Sequence, residues 1–494
     1  MNILQRIKTA AGILSGRTKA VKVGAALHDA AEKGRRLKHW SPTDADINSI
    51  LSSSGADLLK RARDLTSSNP YAANAKEEFA AALIGTGIRP SSKLEDPDDR
   101  KELHELWEEW CLEADSEGQT SFYGIQQIAG GALFDAGEMF VRLRPRRPSD
   151  NLSVPLQLQL LESEYLDRAY TLGLSNGHQI KSGIEFNRIG RRVAYHFWRE
   201  HPGDSLSVFR SGDRVRVPAE DVIHVYAVDR PGQIRGMPRL VPGMVRLYLL
   251  DQYDDAELDR KKVAALMAVF ITSSDDFGEG NPLANETADV DEAGIANLDL
   301  EPGSVITLDP GEEVTVNNPA DVGGSYEDFQ YRNLLAIGAA VGVPYHILTG
   351  DVHRANYSSL RADLVKFRRK ITMIQAKTVC FQLCRVVWNR WLEQAVLSGR
   401  LDMDDQATAR RVTWIPPKWE WVDPLKDRKA EQLALQMGVK SRSAVIVEEG
   451  GDPEAVDQEI AADQKRAEKY GLHFETAADD MEPEEEDERK QETA

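Results

Sequence analysis

Three cysteines in 494 residues cannot build a disulfide framework, and their scarcity points to a reducing compartment. Cys380 and Cys384 lie four apart with no histidine at ligand spacing, so core packing is expected of them rather than metal binding. No uninterrupted apolar run approaches about 18 residues, so no membrane-spanning helix is expected. The opening stretch MNILQRIKTAAGILSG is broken by Arg6, Lys8 and Gly12, which argues against a secretory signal. G-x-x-x-x-G-K-[ST], H-E-x-x-H and C-x-x-C are all missing, which removes the usual phosphate cradle, zinc helix and redox pair. His346 and His353 stand seven apart without a third ligand, and no metal or cofactor is expected. Positive charge is also short. The 61 lysines and arginines against 80 acids leave a net charge of −19, the wrong sign for a protein that grips nucleic acid. An acidic wall would still let a polyanion slide past, although solubility alone explains such a charge.

What is present is helical in large part, with strands in the first half. Pro42 and the prolines at 70 and 97 open helical patterns at 44–65, 70–84 and 97–112. A further helix is expected at 121–136. The alternation in 138–143 and in Leu156-Gln157-Leu158-Gln159-Leu160 reads as strands. A hairpin is expected from 183–186 and 193–198 around Asn187–Arg191, and a strand at 222–226. From Pro242 to about Phe270 the pattern is a long helix. It carries Asp251, Asp255 and Asp259 at four-residue spacing, and Glu257 four before Lys261. The Gly-, Asp- and Pro-rich stretch 273–319 holds short strand-like runs at Val305–Leu308 and Val314–Val316. Trp107, Trp110, Trp388 and Trp391 sit at helical spacing, which favours core or interface packing over carbohydrate stacking. Residues 1–40 hold nine basic residues and two acids, and 475–494 hold ten acids and two basic residues. Both ends lack core periodicity and are expected to order only on a partner, if at all.

The most informative stretch is YEDFQYRNLLAIGAAVGVPYHILTGDVHRANYSSLRADLVKFRR, residues 326–369. A helix runs into Gly342-Val343-Pro344 and should stop there, because proline disfavours helix in the residue before it. A polar loop at 346–356 is expected to follow. A new helix starts near Tyr357 or Ser358 and runs without glycine or proline to about Ser398. Its apolar stripe is Leu360, Leu364, Phe367, Ile371, Ile374, Thr378, Phe381, Cys384, Trp388 and Trp391. Asp423-Pro424 and Asp452-Pro453 are helix starts, with Gly438 and Gly471 as stops. A short helix, an exposed loop and a very long helix suit a gripping element better than a catalytic pocket.

This segment, with its YRN, GVPY, LTGD and ANYSS elements, resembles the lambda-type family of bacteriophage portal proteins. Other stretches are similar to that family in the same order: Leu106–Trp110 with Ser121-Phe122, Leu160–Glu162 with Leu166-Asp167, and Gly183–Phe186 leading to Gly190–Tyr195. Arg216–His224, Arg230–Pro238, Pro416–Lys418 and Trp421–Pro424 complete the set. The resemblance covers roughly residues 40–472.

It implies an α+β, mainly helical portal fold. The expected parts are a basic N-terminal arm (1–40), an α+β wing (41–241), a stem helix (242–270), a clip (271–325) and a second stem helix (326–345). A tunnel loop (346–357), a long helix (358–399), a helical crown (400–474) and an acidic tail (475–494) follow. It further implies no catalytic residue and a homo-oligomeric ring, usually a dodecamer, at one vertex of a phage head and so in the virion, assembled in the bacterial host cytoplasm. Double-stranded DNA would pass non-specifically. Partners would be the terminase large subunit, the major capsid and scaffold proteins, and head-completion or tail-connector proteins, with no membrane. His353, Arg354 and Asn356 in the loop, and Arg260 and Lys262 on the stem helix, are the residues expected near DNA. Trimming of the basic arm during head maturation is a further implication. An intact mass of the full chain in finished particles would count against it. Two alternatives stay open on the residues alone: a soluble hydrolase with a carboxylate active site, and a capsid-associated structural protein without a channel.

Overall fold

Asparagine 69 shows how local chemistry starts this fold. It is buried, lies between two helices, and accepts hydrogen bonds from the backbone N–H groups of Tyr71 and Ala72, both at 3.1 Å. Its cap and the proline after it begin α2 (Pro70–Ile84) directly behind α1 (Ile47–Ser68). The computed structural model describes residues 42–206, 213–265, 269–273, 289–290, 296–297, 312–316, 325–403, 405–419 and 424–472, and of 263–325 only the backbone elements. The basic arm 1–40, the strand expected at Val305–Leu308, most of the 271–325 region and the acidic tail 475–494 therefore lie outside the described residues. The chain divides into one unit up to Ser49 and a second from Ile50 onward. In the first, the Asp46 carboxylate accepts from the N–H of Asn48 (2.8 Å) and the hydroxyl of Ser49. All that follows concerns the second.

Strand β1 (Arg89–Ser92) leads to α3 (Pro97–Glu113), capped by Asp96, and then to α4 (Phe122–Asp135), capped by Ser121. Next come β2 (Glu138–Pro145) and β3 (Leu156–Leu161). A five-stranded antiparallel sheet follows in sequential order: β4 (Leu172–Gly173), β5 (Gln179–Lys181), β6 (Ile184–Phe186), β7 (Arg192–Trp198) and β8 (Arg214–Pro218). Strand β9 (Val222–Tyr226) returns to pair with β2, giving a three-stranded sheet β3-β2-β9. The expected hairpin is β6–β7, with a bulge at Glu185/Phe186.

Helix α5 (Val241–Ala265) ends earlier than the hydropathy suggests. Val269 and Phe270, expected in the helix, belong instead to β10 (Val269–Ser273). Small pairs β11 (Asp289–Val290) and β12 (Ala296–Asn297) follow, and β13 (Glu312–Val316) pairs antiparallel with β10. The β-branched run at Val314–Val316 thus recruits its partner from the tail of the apolar run after the helix, a long-range pairing that helical periodicity does not reveal.

Helix α6 (Ser325–Val341) is followed by α7 (Tyr345–Thr349), α8 (Tyr357–Ile374), a π-helical segment Gln375–Cys384, and α9 (Arg385–Leu397). The last three form one continuous helix, since Ile374, Gln375, Cys384 and Arg385 all keep helical dihedrals. The π segment changes the phase of burial. Gln375, Thr378, Val379, Leu383 and Cys384 face inward, and Phe381, expected in the apolar stripe, is 58% exposed. The wider i→i+5 turn rotates it out. Short α10 (Gln406–Ala409) precedes β14 (Val412–Ile415), which pairs antiparallel with β1. Helices α11 (Pro424–Gln436), α12 (Arg442–Glu448) and α13 (Pro453–Tyr470) close the described chain, with Asp452 as the N-cap and Gly471 as the left-handed stop of the last.

The four helical tryptophans meet at the centre of the large core. Trp107 lies 5.0 Å from Trp110, 4.8 Å from Trp388 and 5.0 Å from Trp391 between ring centroids, with Phe122 at 5.3 Å. All four are essentially inaccessible, so they tie the first helices to the long one and are unfit for carbohydrate stacking. Cys384 and Cys111 are buried thiols and Cys380 is half-buried, all free.

The five-stranded sheet has its own anchor. Glu185, buried, accepts from Arg216 Nε at 2.7 Å and meets His178 at 2.8 Å and His196 at 3.2 Å. The Arg216 hydrogen bond, helped by the two histidines and opposed by burial, depresses its pKa from 4.5 to about 2. A depressed carboxylate contributes fully above its unfolded value and loses that contribution as pH falls through its folded value. Glu185→Gln should therefore flatten the acid limb of the stability curve between about pH 4.5 and 2. Amide exchange in β6–β8 across that range checks it, and an unchanged acid limb would refute it.

Candidate functional site

The stretch 326–356 is built against α5. Helices α5 and α6 run antiparallel. Where Gly243 lies, a Cβ would sit 3.3 Å from Val341, and near Ile337 and Ala340. Further along, Tyr253 packs its ring 4.8 Å from Phe329 and 6.0 Å from Tyr326. Asp254 accepts from the Tyr326 hydroxyl at 3.0 Å and from the Gln330 amide. Desolvation there raises the Asp254 pKa. The acidic series differs along its length: Asp251 is half-buried and accepts from Asn69 Nδ2 at 3.2 Å, whereas Asp255 and Asp259 are exposed.

Helix α6 stops where the sequence requires. Gly342 takes φ +78°, and its N–H and that of Val343 both donate to the carbonyl of Gly338 (2.8 and 3.0 Å). Arg239 closes the same end by donating from Nε to the Val341 carbonyl at 2.7 Å. The loop expected at 346–356 is shorter than that, because its first residues form helix α7. This turn is pinned to α2 by Asn74 Nδ2, which donates to the carbonyls of Ile347 (2.8 Å) and Leu348 (3.0 Å). Gly350 then takes φ +72° and ends it.

The remaining loop is ordered by its own side chains. Asp351 accepts from the Tyr345 hydroxyl (2.9 Å) and the His353 N–H (2.9 Å), with His353 Nδ1 at 3.2 Å. These contacts, the His353 N–H first, depress its pKa. His353 itself projects almost fully into solvent, its side chain 96% exposed. Arg354 turns back onto the first turn of α6, bonding Glu327 (2.7 Å) and Asp328 (2.8 Å), with its guanidinium 4.6 Å from the Tyr331 ring centroid. Asn356 is the N-cap of α8: its side chain accepts from the Ser359 N–H at 2.9 Å, and Ser359 Oγ accepts from the Asn356 N–H at 3.1 Å. On α5, Arg260 bonds Glu257 (2.5 Å) and Lys262 bonds Asp259 (3.1 Å), each within its own helix. The fold thus brings His353, Arg354 and Asn356 together on one loop and places Arg260 and Lys262 near the far end of α5. Arg354 and Asn356 carry structural contacts that spacing alone does not reveal.

The buried cluster that anchors the segment before α5 was not singled out from sequence. Glu138, fully buried, accepts from Arg235 Nη2 (2.5 Å) and Nε (2.9 Å), Arg168 Nη2 (2.8 Å), Ser163 Oγ (2.6 Å) and the Gly236 N–H (2.6 Å), with His224 Nε2 at 3.0 Å. Burial pushes its carboxyl up, but Arg235, Arg168 and His224 outweigh that and hold it well below the usual range. Burial in turn pushes His224 down to about 4 against the pull of Glu138. Beside them the backbones of Gly137 and Gly236 touch: a Cβ on Gly236 would lie 2.1 Å from the Gly137 carbonyl oxygen. The available signal was Arg235 between Ile234 and Gly236, a charge in an apolar, small-residue setting.

Among the described residues, the single group of metal-type ligands is Glu162, Glu164 and His201, and Arg63 bridges the two carboxylates at 2.6 and 3.1 Å. The sequence profile of the family described as phage portal protein, lambda family, matches residues 33–375. This chain belongs to that family. The match includes all five candidate residues and ends where the π segment begins. Over 438 residues the portal family member is 26% identical to the probable portal protein of Halomonas phage phiHAP-1, covering 86% of this chain and 83% of that protein. It is 23% identical over 485 residues to portal protein B of Escherichia phage lambda, covering 88% and 87%. A chain in a structure described as the neck of a native GTA particle computed with C12 symmetry is similar at TM-score 0.47 and 16% identity, covering 81% of this chain and 94% of that one. Portal proteins are structural components of phage heads, and the hydrolase alternative falls with that membership.

Proposed function

We propose that copies of this chain close into a ring at one vertex of a phage head and form the channel through which double-stranded DNA enters, is retained and leaves. The observation that carries the reading is family membership across 33–375, which embraces the α5–α6 pair and the capped loop. In this reading 41–241 is the wing, α5 and α6 are the stem, and β10 to β13 belong to the clip, where a terminase and later a tail connector dock. The long helix joins the stem to the crown at 400–474. Head assembly takes place in the host cytoplasm, with capsid and scaffold proteins as partners. His353 is the loop side chain best placed to meet passing phosphates, since it reaches furthest into solvent even with Nδ1 beside Asp351, whereas Arg354 folds back onto Glu327 and Asp328 and Asn356 caps α8. Arg260 and Lys262 temper an acidic stem rather than grip. Contacts to DNA are weak and to phosphates, not base edges.

A ring of several hundred kilodaltons with a central hole in negative stain supports this; a lone globule under assembly conditions, or a closed particle without a hole, contradicts it. Deleting residues 351–355 spares both the Gly350 stop and the Asn356 cap. Rings should still form, while packaging or retention of DNA in infected cells should fall severalfold. Loss of rings in that deletion would make the loop structural.

A further inference from the structure

We propose that the exposed face of the long helix binds α5 of a second copy of this chain, head to tail. The proposal rests on the ring reading and names the surfaces that close it. Along the helix, Val365, Arg369, Met373, Lys377, Phe381 and Arg385 stand four apart and alternate apolar with basic. All six are exposed, the three apolar ones by 49%, 50% and 58%. In an α-helix four residues overshoot a turn by about 40°, so such a row drifts around the barrel. Within the π segment the same step falls short of a turn and brings the row back. The phase change that turns Phe381 outward therefore keeps the series on one side.

Isolated exposed apolar residues are ordinary, but a repeating ladder of them is a contact surface. Within the described residues Arg369, Lys370 and Lys377 make no ion pair, and Arg385 lies over the Phe381 ring at 4.4 Å. The complementary surface is on α5. Tyr248, Asp255 and Asp259, spaced seven and four apart, share one face with Leu258 beside them, and all are exposed, Tyr248 and Leu258 by 55% and 57%; Asp259 also pairs with Lys262 at 3.1 Å. Each surface has apolar groups; the charges are opposite.

The signs decide the symmetry. Basic face on basic face, or acidic on acidic, would repel, which disfavours a two-fold contact of either face with itself. Pairing unlike faces is heterologous, the class of contact that a closed ring requires. Arginine, methionine and aromatic side chains are also the types enriched at protein interfaces. A phosphate backbone would match the cations but leave Val365, Met373 and Phe381 against a polyanion.

The test uses the full chain, with assembly followed by native mass spectrometry and sedimentation. Arg369→Glu with Lys377→Glu makes both faces acidic and should raise the concentration needed for rings at least tenfold. Asp255→Lys with Asp259→Lys makes both faces basic and should do the same. Mixing the two variants should restore rings of alternating subunits, and combining all four changes in one chain should restore uniform rings. Such rescue also shows that the variants fold. If the basic-face variant assembles like the parent, the proposed contact is wrong and the ring reading stands. Assembly with loss of DNA retention would give the face to nucleic acid and equally overturn the contact. Failure of both rescues overturns it too. A parent chain that never assembles removes the ring reading itself.

Discussion

Arg235→Met should lower the stability of this portal protein by about 3–5 kcal/mol, the cost of leaving a buried carboxylate without its main counter-charge. Arg235 is 2% exposed and serves more than Glu138: its Nη1 also donates to the Ser182 carbonyl at 3.1 Å, and Nη2 to the Ser163 carbonyl at 3.2 Å. Removal would take a donor from the Ser182 carbonyl, leave the Ser163 carbonyl with only the Leu166 N–H at 3.3 Å, and strip the carboxylate of its main counter-charge. Arg168 and His224 remain beside Glu138 and blunt the loss, but both are themselves largely buried. Denaturant midpoints at constant slope measure the change. The double variant Glu138→Leu with Arg235→Met should recover most of the loss, because replacing both members of a buried pair with apolar groups is often neutral or better. A loss under about 1 kcal/mol in the single variant would mean that the charges are solvated, contrary to their burial.

Trp391→Ala should cost about 3–5 kcal/mol, since it empties the middle of the four-tryptophan cluster. More discriminating is the comparison of phenylalanine replacements. Trp110 Nε1 donates to the Leu156 carbonyl at 2.7 Å, and Trp388 Nε1 to the Ala409 carbonyl at 3.0 Å. Trp107 Nε1 and Trp391 Nε1 are buried without a partner. Trp107→Phe removes an unsatisfied donor along with some volume, whereas Trp110→Phe leaves a buried carbonyl orphaned. Trp110→Phe should therefore be the worse of the two by roughly 1 kcal/mol. Thermal melts of the pair give the answer; equal losses would show that packing alone sets the cost.

Much of this architecture was legible because its signals are local. Proline and glycine placed the ends of α2, α3, α6 and α13, and caps at Asn69, Asp96, Asp452 and Asn356 sit where their side chains reach free backbone donors. Strict alternation found β3. What escaped reading depends on distant partners. Strand β1 is four residues of no strong propensity that pair with β14 more than three hundred positions later. The π segment has the composition of an α-helix, and only the packing of Val379, Leu383 and Cys384 discloses it. At the candidate site, the stop of α6 at Pro344 and the start of α8 near Tyr357 were readable, but the short helix α7 between them and the fate of each side chain were not. Arg354 reads as a free cation until Glu327 and Asp328 are brought to it by the turn at Gly342.

The loop between Gly350 and Asn356 is punctuated at both ends, by a left-handed residue on one side and a helix cap on the other. Such an insert is a cassette. Residues can be added or removed inside it without twisting α7 or re-phasing α8, because Gly350 and the Asn356 cap each absorb the change of direction.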